Sequence, residues 1–347
     1  MKKAFSLILI GLICLALFSC GKDEAPTLTV GYICIGEQLL DRDINQVVWK
    51  AITDVSAKYE ITAEYTICKD YDTESVKGVI NDLYAKGCRM IYASDYKLAT
   101  ALSSLQKSYK DCKFICLDFS LSSISSNSMC IAFAEYEAAF VAAVAAATEL
   151  KSGQAACILG MDLPSSQKYL SGLKNGFDYA NRMLGANVTL NDSDVIFIGS
   201  YNDPSLAYNL AEEKYTAGIN CIFTDGLKSG DGVYAAAINA RKIGLNAYVI
   251  GNKTDNFDKG IYESSESVSL VSAAFDFETA VKYPIERYFS GSFQGGKLIT
   301  LNCATDGIAL PCANANLSQT SADVAAKIIG DIKNGTIVVK DPTSLLD

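Results

Sequence analysis

Residues 28–35, LTVGYICI, followed by residues 45–59, NQVVWKAITDVSAKY, decide the fold. The first stretch is short, apolar and rich in β-formers, which is the pattern of a buried strand. The second places Val48, Trp49, Ile52, Val55 and Tyr59 on one stripe of a helix. Outward from this pair the same alternation repeats. Residues 63–68 read as a strand and 73–86 as a helix closed by Gly87. A strand at 89–93, a helix at 97–109 and strands at 113–118 and 128–133 follow.

A second series begins with an alanine-rich helix over 135–150. It continues with strand 155–159, helix 166–184, strand 194–199, and helix 204–217 with Pro204 at its first position. Strand 221–224, helix 232–242, strand 247–251 and strand 268–275 come next. In the helix expected over 277–289, Pro284 implies a kink or an early break. A strand near 298–301 and a helix over 321–333 close the chain. Strand–helix repetition at roughly 30-residue spacing marks an α/β protein with parallel doubly wound sheets. Two such units imply two lobes with a ligand between them. In such sheets ligands lie beyond the carboxyl ends of the strands, so residues just after each strand are the functional candidates.

Composition narrows the classes. The chain has 347 residues, half of them hydrophobic, and a formal net charge of -9. That length is long for one core and suits two domains. An acidic surface without basic clusters argues against nucleic acid as the partner. With no histidine in the sequence, His-dependent triads, His metal sites and imidazole catalysis are excluded. Of the 12 cysteines, Cys34, Cys116, Cys157 and Cys221 sit inside apolar strand-like runs, where cysteine acts as a small core hydrophobe. No CxxC pair occurs, so neither a zinc site nor a redox motif is supported, and no cofactor or metal is implied.

The N-terminus carries a second message. Lys2 and Lys3 precede an apolar run from Ala4 to Phe18, the n- and h-regions of a secretory signal. The run is shorter than the roughly 20 residues a membrane-spanning helix needs. Leu17-Phe18-Ser19-Cys20 resembles the lipobox of bacterial lipoprotein signal peptidase. Residues 1–19 are therefore read as a signal peptide, Cys20 as the lipidated first residue, and 20–26 as a polar tether. Several acyl chains on one cysteine give firm membrane anchoring.

Four ordered segments resemble the basic membrane protein family of solute-binding lipoproteins, which includes purine nucleoside receptors. Residues 41–49, DRDINQVVW, resemble its D-K-S-F-N-x-x-x-[WF] segment. Residues 157–177 (CILGMDLPSSQKYLSGLKNGF) resemble F-x-G-G-M-x-x-P…F-x-x-G-F. Residues 198–204 (IGSYNDP) resemble V-x-S-F-x-D-P, and 226–233 (GLKSGDGV) resemble G-x-T-G-x-G-V. The resemblance implies a type I periplasmic-binding-protein fold, with two Rossmann-like lobes, a central cleft and three hinge crossings near Ala134, Phe275 and residue 300. The first lobe would comprise 27–133 plus about 276–300, the second 134–275 plus about 301–347. It also implies capture of a nucleoside, of purine type, and its delivery to an ABC permease; the chain is expected to act as a monomer.

Candidate ligand residues follow. Asp41 and Asn45 stand at the mouth of the first helix, where Asn45 would either touch ligand or cap the helix. Trp49, the only tryptophan, lies one turn on and would either stack on a base or pack in the core. Asp118 ends the strand KFICLD, and a matching Asp reads the base in the family; the alternative is a loop aspartate. Tyr201 follows the strand VIFIGS and matches the family's stacking Phe, the alternative being an exposed turn tyrosine. Gly226 opens a strand-to-helix turn whose N–H groups could meet ligand oxygens. The chain also departs from the family pattern. Of its V-D-x-D aspartates only Asp255 survives, the other position being Lys253. Phe275 and Asp276 stand where the family has a Lys-Arg pair, and Ile44 where it has Phe. These changes leave a nucleobase, a sugar or another small polar ligand open, as well as a tethered surface or sensor protein with a diverged cleft. An enzyme is not expected, because the clustered D-x-D-x-x-x-D-D pattern of nucleoside hydrolases is absent.

Overall fold

The computed structural model describes residues 27–40, 43–310 and 315–345, so Cys20, the signal and tether residues, and Asp41 lie outside the described residues. Two six-stranded sheets form the frame. The first is built from β1 (Thr29–Ile35), β2 (Thr62–Cys68), β3 (Met90–Ala93), β4 (Lys113–Leu117), β5 (Ser128–Phe133) and, late in the chain, β13 (Lys297–Leu301). Its order is β13-β5-β4-β3-β1-β2, with every neighbour parallel. The second holds β6 (Ser152–Leu159), β7 (Asn187–Phe197), β8 (Cys221–Thr224), β9 (Tyr248–Lys253), β12 (Ser269–Phe275) and β14 (Ile308–Ala309). Its order is β14-β12-β9-β8-β6-β7, parallel except for β14. The architecture is α/β, the type I periplasmic-binding arrangement of two Rossmann-like lobes.

β1 shows why its sequence reads as a continuous apolar run. Val30, Tyr32 and Cys34 face one core with Val48, Ile52 and Val55 of helix α1 (Ile44–Lys58). Ile33 and Ile35 face the opposite core with Val76, Ile80 and Leu83 of α2 (Thr73–Ala85). A strand covered on both faces needs apolar residues at every position. In the second lobe α4 (Glu135–Leu150) is buried nearly all round, which explains its alanine content, and packs on α5 (Pro164–Leu184). Cys116, Cys130, Cys157 and Cys221 are buried free thiols within the cores.

The chain passes from the first sheet to the second after β5 and returns after β12. It crosses again between β13 and β14. At the first two crossings Phe133 and Phe275 stack, with centroids 4.3 Å apart and planes 5° apart.

Several boundaries differ from the sequence reading. The helix expected over 97–109 is broken: a 3₁₀ turn (Tyr96–Leu98) leads into the short α3 (Ala99–Leu105), and a second follows at Gln106–Ser108. The helix expected from Gly232 begins earlier, as α7 (Leu227–Lys242). Gly232 serves close packing rather than a helix start. A Cβ there would lie 2.0 Å from the carbonyl oxygen of Pro204 in α6 (Pro204–Thr216). α8 (Phe277–Phe289) runs unbroken through Pro284, because its buried face of Phe277, Ala280, Val281 and Ile285 anchors both halves in the core. The short strands β10 (Ile261–Glu263), β11 (Glu266–Ser267) and β14 are two or three residues long, too brief for periodicity to reveal. Helix α9 (Gln319–Lys333) packs on α4. Among the described residues no helix is long and apolar enough to cross a membrane.

Candidate functional site

The loops leaving the carboxyl ends of the two sheets meet in a cleft. Its two chambers share Tyr96, Asp118, Leu227, Asn252 and Lys253. One chamber, of about 860 Å³ including its open mouth, is polar, with Asp43, Ser94, Lys97, Asn256 and Lys259 beside the start of α7 at Gly226. The other, of about 830 Å³, is more apolar and aromatic, with Met161, Leu163, Tyr169 and Tyr201. Glu135 and Asp225 bring carboxylates into the second chamber.

The aromatic chamber is built on Gly160. A Cβ at that position would lie 2.2 Å from the ring of Tyr201, so the ring lies flat on a residue that has no side chain. The Gly160 N–H donates to Asp225 Oδ1 at 2.8 Å, and the Ser166 hydroxyl donates to Oδ2. Asp225 is only 5% exposed, and burial raises its carboxyl pKa despite these donors. Glu135 opens α4 directly after the first hinge crossing. Its carboxyl is also raised, first by burial and then by the nearby charge of Asp118.

Ion pairs join the lobes across the cleft. Lys253, at the end of β9, meets Asp118, after β4, at 2.5 Å. Burial alone would depress the lysine, but Asp118, Glu135 and Asp225 outweigh it and hold its pKa above the usual value. Lys259 lies 2.8 Å from Asp231 of its own lobe and 3.6 Å from Asp43 of the other. Asp118, Lys253 and Leu227 all have left-handed backbone, with φ of 63°, 63° and 46°. Non-glycine residues rarely adopt such angles, and they cluster where function demands a particular direction of approach.

The sequence candidates fall into two groups. Asp118, Tyr201 and Gly226 line the cleft. The other described candidates do not border either chamber. Asn45 is 6% exposed and both ends of its amide are engaged: Oδ1 accepts from the Tyr32 hydroxyl and Nδ2 donates to the Ile35 carbonyl. Trp49 packs against Tyr32 and Tyr65, on the helix face turned to the sheet. Asp255 is exposed and accepts from the Phe257 N–H in its own loop. Phe275 is buried in the hinge stack, and Asp276 caps α8 by accepting from the Thr279 N–H. Apolar contact at a strand end and a helix start just beyond it account for that last pair.

Lys253, Asp225, Glu135, Tyr96 and Asn252 were not among the candidates. The strand-end rule reaches them all: Asp225 follows CIFT directly, Glu135 follows β5, Tyr96 follows β3, and Asn252 and Lys253 close β9. What the rule lacks is a way to rank one strand-end residue above another.

Comparisons with known proteins agree with this architecture. A family model, Bmp, described as ABC transporter substrate-binding protein PnrA-like, matches residues 29–343. The chain is 25% identical over 308 residues to the ABC transporter nucleoside-binding protein BmpA of Lactococcus lactis, covering 86% of this chain and 85% of that one. It is 25% identical over 325 residues to basic membrane protein D of Borreliella burgdorferi, covering 92% and 89%. The solved structure of an ABC transporter solute-binding protein from Conexibacter woesei superposes with a TM-score of 0.71 at 14% identity. That match covers 91% of this chain and 99% of that one and shows the shared fold.

Proposed function

This chain belongs to the Bmp family, the PnrA-like substrate-binding proteins of ABC transporters, and from that premise we propose that it captures a purine nucleoside between its lobes. As a substrate-binding protein it is not an enzyme: it binds a small ligand and works with a membrane permease. In the proposed complex the base lies in the aromatic chamber and the ribose in the polar one. The observation that carries this reading is the pair of tyrosines, Tyr96 from the first lobe and Tyr201 from the second, bordering one chamber. Flat aromatic faces suit a base, and each base–aromatic stack contributes about 1–3 kcal/mol. The polar chamber, with Asp43, Ser94 and Asn256, suits ribose hydroxyls. The relative named a nucleoside-binding protein supports the same cargo.

Further parts of the proposal concern setting and motion. The lobes, 27–133 plus about 276–300 and 134–275 plus about 301–347, close by hinge motion at their crossings. Cleavage before Cys20 and lipidation of that residue would hold the mature chain, as a monomer, on the outer face of a membrane beside its permease. Thermal-shift screening of the full chain against inosine, adenosine, uridine, hypoxanthine, ribose and arabinose tests the cargo, because a ligand of the native state raises Tm. A shift with the purine nucleosides is expected. A shift with a free sugar alone would remove the nucleoside assignment and leave the family role intact.

A further inference from the structure

Among the described residues, three buried polar atoms with no hydrogen-bond partner belong to residues that border the aromatic chamber: Glu135 Oε2, the Tyr169 hydroxyl and Asn252 Nδ2. A buried polar atom left unbonded is costly, so natural proteins rarely leave one without a purpose. The bonds of the neighbouring groups run elsewhere. Both oxygens of Asp225 are engaged by Gly160 and Ser166, and Asp118 holds Lys253. Glu135 Oε1 accepts from the Ser165 hydroxyl at 3.1 Å, while Lys168 Nζ stands 3.8 Å from Oε2, outside hydrogen-bond distance. Tyr169 is 1% exposed, and its hydroxyl neighbours the Asn252 side chain.

We propose that Glu135, Tyr169 and Asn252 form a base-reading subsite that recognises the lactam edge of a 6-oxopurine, the adjoining N–H and C=O of its six-membered ring. This inference rests on the nucleoside reading above and names which edge of the base is read. Glu135 Oε2 accepts from the ring N–H. Asn252 Nδ2 donates to the carbonyl oxygen, and the tyrosine hydroxyl completes the set in either direction. Donors favour the oxo over the amino form. The Asn252 amide and the Lys253 ammonium, which spends one of its three donors on Asp118, both offer N–H groups to that carbonyl oxygen. A carbonyl oxygen with two lone pairs accepts from both, whereas an exocyclic amine would set donor against donor.

Calorimetric titration of the full chain with inosine, adenosine, 2′-deoxyinosine and purine riboside, which lacks both the N–H and the oxygen of the edge, tests the assignment. Inosine should bind about tenfold or more tightly than purine riboside, since a site built to bond a polar group rejects the analogue without it. Tyr169→Phe, Glu135→Gln and Asn252→Leu should each lower inosine affinity more than purine riboside affinity and so narrow that gap. Melting curves of the unliganded variants identify any that fail to fold, and Tyr169→Phe, which removes one oxygen, keeps the comparison available. Equal binding of inosine and purine riboside to the unmodified chain would overturn the subsite and leave the nucleoside reading standing. Adenosine binding as tightly as inosine would overturn the lactam assignment. Variant effects that vanish with 2′-deoxyinosine instead of purine riboside would move the subsite to the ribose and overturn it as a base reader. No binding of any nucleoside would instead defeat the reading on which it rests.

Discussion

On the second lobe's wall of the cleft Asp225 and Tyr201 are held by neighbours of the same lobe, whereas on the first lobe's wall Tyr96 is exposed and Asp118 is paired across the cleft. Asp225 is fixed by Gly160 and Ser166, and the Tyr201 ring lies against Gly160 while its carbonyl accepts from the Ser229 N–H. Tyr96, by contrast, is 54% exposed, and the ion pair at Asp118 is made to Lys253 of the opposite lobe. In the proposed binding cycle the difference separates a preorganised template from a closing gate. In the proposed complex a wall whose side chains are already ordered loses little further freedom when ligand arrives, and the gate supplies the contacts made across the cleft.

Gly160→Ala strikes the template and should have the largest effect. Its Cβ would lie within 2.2 Å of the Tyr201 ring, which must leave its place. Overpacking of this kind costs about 1–3 kcal/mol of stability. The displaced stack should lower nucleoside affinity by about one to two orders of magnitude. Calorimetry and a melting curve read both effects. Unchanged affinity would show that Tyr201 does not touch the ligand.

Asp118→Ala tests the gate and should cost less, at least about tenfold in nucleoside affinity, or ~1.4 kcal/mol. It also removes a partner that Lys253 uses across the cleft, so the unliganded chain should show a larger radius of gyration by small-angle scattering. If neither quantity changes, Asp118 has no place in the site or the closure.

The smallest effect is a pH dependence within the template. Burial raises the Asp225 pKa above its unfolded value. A carboxyl shifted in that direction contributes stability below its unfolded pKa of about 3.9 and loses it as pH rises through the folded pKa. Asp225→Asn keeps the shape without the charge. Its stability relative to the unmodified chain should therefore rise between pH 4 and pH 7 in denaturant titrations. A relative stability that falls over that range would mean that the ionised carboxylate is favoured at this position.

Much of this was legible in the residues. The apolar strands β1, β4 and β8, the helix with Pro204 at its start and the buried cysteines all follow from local pattern, because a strand covered on both faces and an amphipathic helix declare themselves within a few residues. Asp118, Tyr201 and Gly226, chosen because the carboxyl ends of parallel strands are where ligands bind, do border the cleft. Asn45 and Trp49 look the same on paper, yet they turn toward the sheet and are consumed by Tyr32, Ile35 and Tyr65. Lys253 read as a departure from the family pattern, and its pairing with Asp118 could not be seen from either segment alone.

By itself the sequence determined the order of the main strands and helices, hence the two largely parallel sheets, and the strand-end positions that border the cleft. These are short-range properties, set by side-chain periodicity and backbone preference. Only the tertiary structure decided which strand ends face each other across the cleft and which polar atoms remain unbonded when they do. Those contacts join residues far apart in the chain, and they depend on how two lobes meet, which no local pattern encodes.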